Sequence, residues 1–272
     1  MNGAGNAIWL RCMQGILIRE TLRFLQQRER FFAALVRPLV WLIVFAAGFR
    51  TALGLSIIEP YASYVQYEVY IVPGLCAMVI LFNGMQSSLS LVYDREMGSM
   101  RMLLTTPLPR WYLIFCRLLS GSFVSILQVY AFLLIALAFG IEIPATGLIA
   151  VLPALLLGGL TLGSLGLVLA AGIKQLENFA GIMNFVIFPM FFLSSALYPL
   201  WKMQETSETL YWICQINPFT HIVELIRFSL YWQAAPAHLG WSALAFVLFA
   251  GAALWIYSPA RGLKGGGGPP GR

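Results

Sequence analysis

Six apolar segments, near residues 35–53, 70–92, 112–140, 147–172, 179–199 and 239–257, run through this chain. Each is close to the roughly 20 residues with which an α-helix crosses about 30 Å of hydrocarbon. Lipid offers backbone N–H and C=O groups no partner, so a spanning segment bonds within itself as a helix or closes into a barrel. The runs lack the period-2 alternation of barrel strands, which leaves helices. Composition agrees: 60% of the 272 residues are hydrophobic and 10% charged, with a mean hydropathy of +0.80, where a soluble domain carries about a quarter charged residues. Such a chain cannot cover its surface with polar groups and needs lipid as its solvent. The fold expected is an all-α membrane protein with six transmembrane helices.

Lysines and arginines orient those helices. Fourteen of the 17 fall in residues 1–37, 94–117, 173–178 and 258–272. The alternate loops hold Arg50, Lys202 and Arg227 against Glu59, Glu68, Glu142, Glu205, Glu208 and Glu224. Cationic loops stay in the cytoplasm, so both termini and the 94–111 loop are expected there. Topology and anionic lipid then account for the net charge of +6, and no nucleic-acid partner is called for. The first thirty residues carry Arg11, Arg19, Arg23, Arg28 and Arg30 without a clean apolar core and cleavage site, so no cleavable signal peptide is expected. Cys12, Cys76, Cys116 and Cys214 form no CxxC pair or Cys/His cluster, which indicates packing residues rather than a metal site or a disulfide framework.

Two segments outside the spans have a helical pattern. In residues 6–32, Ile8, Trp9, Leu10, Ile16, Leu17, Leu22, Phe24 and Leu25 interleave with arginines, which suits an amphipathic helix at the inner leaflet; residues 1–32 form this unit, ahead of a transmembrane domain over 33–258. The external stretch 200–238 is unusually apolar for a loop. Asn217 is placed to cap a helix beginning at Pro218, and the stretch reads as a re-entrant helical hairpin before the last span. Residues 259–272, ending GGGGPPGR, read as a disordered cytoplasmic tail.

The chain holds no GxxxxGK[ST] phosphate loop, so an ATPase of its own is not expected. An ion-coupled carrier usually places a carboxylate or histidine inside a span. Here the acids sit in loops or at span ends, and His221 and His238 lie in the external stretch, which weakens that alternative without removing it. A non-transporting membrane assembly factor is the other alternative. Ser164, within the GSLG of Gly163–Gly166, has no histidine at its depth to act as base for an intramembrane protease. Gly159, Gly163 and Gly166 are better read as a close helix-packing face. Asn83, Gln86, Gln128 and Asn184 lie within spans and either line a polar path or bond one helix to another.

The most informative stretch is YDREMGSMRMLLTTPLPRWYLIFCRLL, Tyr93 to Leu119. A charge cluster, Asp94-Arg95-Glu96, precedes Gly98 and an amphipathic, Met-rich run, and a Pro-x-Pro turn at Pro107–Pro109 leads into the next helix. Such a helix suits a groove on a partner protein; the alternative is an ordinary loop whose charges only hold topology.

The chain resembles the type 2 ABC exporter permeases, which serve drug, lipo-oligosaccharide and polysaccharide export. The matching features are PGL at Pro73–Leu75, the DREMGSMRMLLTTPLPR block at Asp94–Arg110, and NPFTHIVELIR at Asn217–Arg227. Within the family the wording is most similar to permeases encoded beside quinoprotein alcohol-oxidation systems. The resemblance implies two permease protomers, identical ones being the expectation, in a bacterial inner membrane. Two separate nucleotide-binding ATPase subunits would hold ATP and Mg, with no cofactor on this chain. It implies that Asp94, Arg95, Glu96, Gly98 and Arg101 form the coupling helix against that ATPase, and that Arg23 and Arg28 lie on an interface helix touching it. Asn217, Pro218, Glu224 and Arg227 would shape an external gate.

Overall fold

A computed structural model describes residues 2–26, 35–44, 59–61, 65–96, 109–173 and 176–256. Among them regular structure is helical and no strand occurs. The helices are α1 (Asn2–Gln26), α2 (Leu35–Val44), α3 (Tyr67–Glu96), α4 (Arg110–Ala138), α5 (Gly147–Ala150), α6 (Leu152–Gly172), α7 (Leu176–Phe192), α8 (Leu200–Thr206), α9 (Glu208–Ile216), α10 (Pro218–Leu230) and α11 (Pro236–Ile256).

Among the described residues, four stretches are long and apolar enough to cross a membrane: Tyr67–Leu89, Trp111–Ala138, Gly147–Gly172 and Pro236–Ile256. Of the other two segments expected to span, the fifth appears as the shorter apolar helix Gly181–Phe192 within α7, and the first as α2, whose continuation from residue 45 lies outside the described residues. The expected tail at 259–272 also lies outside them.

The buried centre is α3, which packs on α4, α6, α7 and α10. From Tyr70 to Phe82 its side chains are buried without interruption, so this stretch is apolar all round, as the centre of a bundle requires. At the rim, α11 turns Leu244, Val247, Leu248 and Trp255 outward, an arrangement that suits lipid as solvent.

Small residues set the closest approaches. A Cβ on Gly84 of α3 would lie 3.0 Å from the Gly163 nitrogen of α6, and one on Gly166 would lie 2.8 Å from the Gly84 carbonyl oxygen. A Cβ on Gly159 would fall 2.7 Å from the Ser122 hydroxyl of α4. The glycine face expected at 159, 163 and 166 is therefore the seam at which α3, α4 and α6 meet, backbone against backbone. At the end of α4, Gly140 adopts a φ of +84°, a left-handed turn that spares the chain a Cβ clash.

The first helix docks on the start of α4. The Tyr112 hydroxyl donates to the Trp9 carbonyl oxygen at 2.6 Å, and the Trp9 ring lies 4.5 Å from Tyr112 and 5.9 Å from Trp111. Clustered Trp and Tyr rings at a span end suit the membrane–water boundary.

Candidate functional site

A polar cluster is built where α10 meets α3 and the turn after α7. Glu224 and Arg227, one turn apart on α10, form a buried ion pair. A second guanidinium nitrogen of Arg227 donates to the Ser195 carbonyl oxygen at 2.9 Å, and its carbon lies 4.1 Å from the centre of the Tyr70 ring. The hydroxyls of Tyr70 and Tyr67 donate to the Ser195 and Leu197 carbonyls, each at 3.0 Å. Burial is the largest influence and opposes the charge on Arg227, but the Glu224 carboxylate together with Tyr70 and Tyr61 outweighs it, so its pKa stands above the ordinary value. Arg227 therefore ties three elements together as a permanent cation.

Gly74 explains how the 194–197 turn comes so close: a Cβ there would lie 2.5 Å from the Ala196 carbonyl oxygen. Pro73, inside α3, supplies no N–H to the helix. The Pro-Gly pair near the start of α3 thus leaves one helical hydrogen bond unmade within a continuous helix and allows a close backbone contact with the turn that Arg227 grips.

Asn217 makes three hydrogen bonds. Its side-chain carbonyl accepts from the Phe219 N–H at 3.0 Å and caps α10, with Pro218 as the first helical residue. Its amide nitrogen donates to the carbonyls of Met190 at 2.8 Å and Leu193 at 2.6 Å. Met190 lies in the last turn of α7 and Leu193 follows its end, where carbonyls have no partner further along a helix.

Nearby, His221 and His238 approach Nδ1 to Nδ1 at 3.1 Å. The His221 ring stacks on Trp241, with centroids 5.5 Å apart. Burial, and next the adjacent His238, hold His221 below its ordinary pKa.

The residues expected to line a path are not gathered in one place. Asn83 joins α3 to α4, donating to Ser125 Oγ at 2.6 Å and the Gly121 carbonyl at 3.0 Å. Gln128 is buried with its side-chain oxygen unpartnered among the described residues. Gln86 lines a small cleft with Asn83 and Arg37, and Asn184 is exposed on α7. Asp94, Arg95 and Glu96 form the last turn of α3, and Arg23 belongs to α1. Gly98, Arg101 and Arg28 lie outside the described residues.

Sequence reasoning grouped Asn217, Glu224 and Arg227 but missed Tyr70 and Ser195, which hold Arg227, as well as Gly74 beneath the turn and Ser125, the partner of Asn83. The available signal was the spacing of Glu224 and Arg227, which places both on one helix face. Two charges on one face of an otherwise apolar helix in an apolar chain indicate an internal pair.

Comparison with known proteins identifies the family. Residues 12–231 match the ABC-2 type transporter family. The chain is 32% identical over 214 residues to a transport permease named ycf38 from Cyanophora paradoxa, covering 75% of this chain and 70% of that protein. It is 28% identical over 190 residues to the "Probable multidrug ABC transporter permease YbhR" of Escherichia coli strain K12, covering 68% of this chain and 49% of that protein. The match thus spans about half the length of YbhR. This chain belongs to the ABC-2 type transporter family, as a membrane-embedded transport permease.

Proposed function

We propose that the chain is the permease subunit of an ATP-binding-cassette exporter and that it forms the translocation path with a second, identical protomer in a bacterial inner membrane. In this reading it spans six times with both termini in the cytoplasm, and 200–238 is an external re-entrant hairpin. A separate nucleotide-binding subunit holds ATP and Mg, and this chain holds no cofactor. The match of residues 12–231 to a transporter family carries the reading. Its mechanical part is supported by α3, a continuous helix from the Tyr67–Tyr70 layer to Asp94–Glu96.

The ATPase would dock on residues 94–111, with Glu96, Gly98 and Arg101 at the contact and α1 beside it, bringing Arg23 and Arg28 within reach. The position of α1 against the start of α4 supports that assignment. Closure of two ATPase subunits on ATP would press on the paired loops, and differential contact in the ATP-bound and free states supplies the coupling energy. Asn217, Pro218, Glu224 and Arg227 would set the outer gate.

The test is purification of the chain in mild detergents with the ATPase activity of whatever accompanies it, beside the Glu96→Ala/Arg101→Ala double variant. Recovery of an ABC ATPase that the double variant loses supports the reading. Absence of any ATPase across several detergents, or equal recovery by the double variant, counts against it.

A further inference from the structure

Gln128 lies inside the α4 span, 2% exposed, and its side-chain oxygen meets no donor among the described residues. An amide left unpaired where no water surrounds it is costly. What it faces follows from its neighbours. Gly121, Ser125 and Gln128 are spaced four and three residues apart and share one side of α4. A Cβ on Gly121 would lie 3.3 Å from Ser87 Oγ, and Ser125 Oγ accepts from the Asn83 amide at 2.6 Å. One turn forward along α4 is thus one turn back along α3, and the next turn sets Gln128 against Val79 and Ile80. From Ile71 to Phe82 the side chains of α3 hold no amide or hydroxyl. Asn83 is the first amide that Gln128 meets on α3.

Both N–H groups of Asn83 are in use here, but not on equal terms. One goes to Ser125 Oγ and the other to the Gly121 carbonyl at 3.0 Å. A carbonyl oxygen has two lone pairs. That of Gly121 already accepts from Ser125 Oγ at 3.0 Å and, as in any α-helix, from the N–H four residues on. The Asn83 donation is a third. Asn83 can release it and strand no buried group, while Gln128 Oε1 gains the donor it lacks. A cleft shared with Met78, Val79 and Phe82 leaves room beside the Asn83 side chain for the movement.

We propose that the α3–α4 seam has two hydrogen-bonded registers, exchanged by Asn83. In the register seen here Asn83 holds Gly121 and Ser125. In the second, α3 is shifted toward the Ala138 end of α4, and Asn83 bridges Ser125 and Gln128. Gln128 follows Ser125 by about 4.5 Å along the axis, and helical side chains lean toward the N-terminus, so a shift of roughly 3 Å, well under one turn, is enough. A seam with two bonded arrangements is bistable rather than elastic, which is the property a conformational step inside a packed bundle needs. The proposal rests on the permease reading only for what drives the exchange: closure of the ATPase would select the second register.

The test is disulfide trapping with copper phenanthroline in membranes, on the full chain carrying Asn83→Cys with either Ser125→Cys or Gln128→Cys. The native chain, with its four cysteines, is the blank. Asn83→Cys with Leu127→Cys, exposed on another side of α4, is the negative control. Without nucleotide we expect both seam cross-links, the 83–125 one forming first, and none in the control. Absence of the 83–128 cross-link after exhaustive oxidation overturns the proposal, whether or not an ATPase joins the chain. With the ATPase bound and trapped by ATP and vanadate, the ratio of 83–128 to 83–125 cross-linking should rise at least about 3-fold, a modest population shift. An unchanged ratio in a complex that hydrolyses ATP overturns the proposal. Gln128→Leu removes the unpaired amide and should raise the melting temperature of the nucleotide-free chain. A lowered melting temperature, in a chain that elutes like the native one, shows the amide already satisfied by a buried water and overturns the exchange.

Discussion

Glu224 and Arg227 neutralise each other inside the bundle, and Arg227 also holds the Ser195 carbonyl at 2.9 Å. The pair thus joins α10 to the turn after α7, while Tyr70 of α3 closes over the guanidinium. Removing one partner leaves the other charge buried and alone. Glu224→Leu or Arg227→Met should each cost about 3–5 kcal/mol, read as a lowered melting temperature in detergent. The double variant should recover a large part of that loss, because an apolar pair leaves no stranded charge. A double variant as unstable as the worse single would count against the pairing.

Asn217 separates its capping role from its tethering role. Asn217→Ala loses the cap and both amide donations and should cost about 2–4 kcal/mol. Asn217→Asp keeps a good cap, yet sets a carboxylate oxygen against the Met190 and Leu193 carbonyls. It should therefore stabilise the protein no better than alanine does, and a near-native melting temperature for Asn217→Asp would show that the tether contributes little.

The glycine seam gives a graded series. Gly166→Ala brings a methyl to 2.6 Å from the Ser88 hydroxyl and 2.8 Å from the Gly84 carbonyl oxygen, and overpacking of this kind costs about 1–3 kcal/mol. Gly181→Ala meets nothing within 4 Å and should be neutral or slightly stabilising. Thermal melts of the two variants side by side check the difference.

The seam also shows what could be read without coordinates. Gly159, Gly163 and Gly166 recur at helical spacing, and the Asn217-Pro218 pair is a local start signal, so both were legible in the chain itself. The contact of Gly74 with Ala196 joins residues far apart in sequence, and nothing local at either position names its partner. Arg227 likewise counted as an external charge because topology assigns loops by sign, while its burial depends on α10 folding inward against α3. Asn83 and Asn184 look alike as polar residues within apolar runs, yet one bonds across to α4 and the other is exposed on α7. Helix rotation decides between those fates, and it is fixed by packing.

Acid should loosen the outer cluster. His221 is buried and faces His238, the Trp241 ring and, more distantly, Glu224. Its pKa in the folded chain lies below the ordinary 6.5, so between the two values the unfolded chain binds more protons. Stability from this group is present above pH 6.5 and is lost as pH falls through the lower, folded value. Melting temperature should drop on moving from pH 7 to pH 5, and His221→Gln should flatten that dependence. An unchanged slope would remove His221 as the cause.

If residues 94–111 carry the ATPase contact, Gly98→Pro should abolish transport while leaving membrane insertion intact, since proline breaks the docking helix. Transport in vesicles, measured beside the amount of inserted protein, checks this. Normal transport from correctly inserted Gly98→Pro would count against the coupling role.

The length of α3 sets the scale of any motion it transmits. From Pro73 to Glu96 the helix runs about 35 Å at 1.5 Å per residue, so a tilt of about 5° about one end carries the other through about 3 Å. That is close to the width of a water molecule and to the length of the bond between Arg227 and Ser195. A lever of this reach needs no local unfolding: a small rotation at its Glu96 end is enough to part, or to close, the contacts that Tyr70 and Gly74 make at the other.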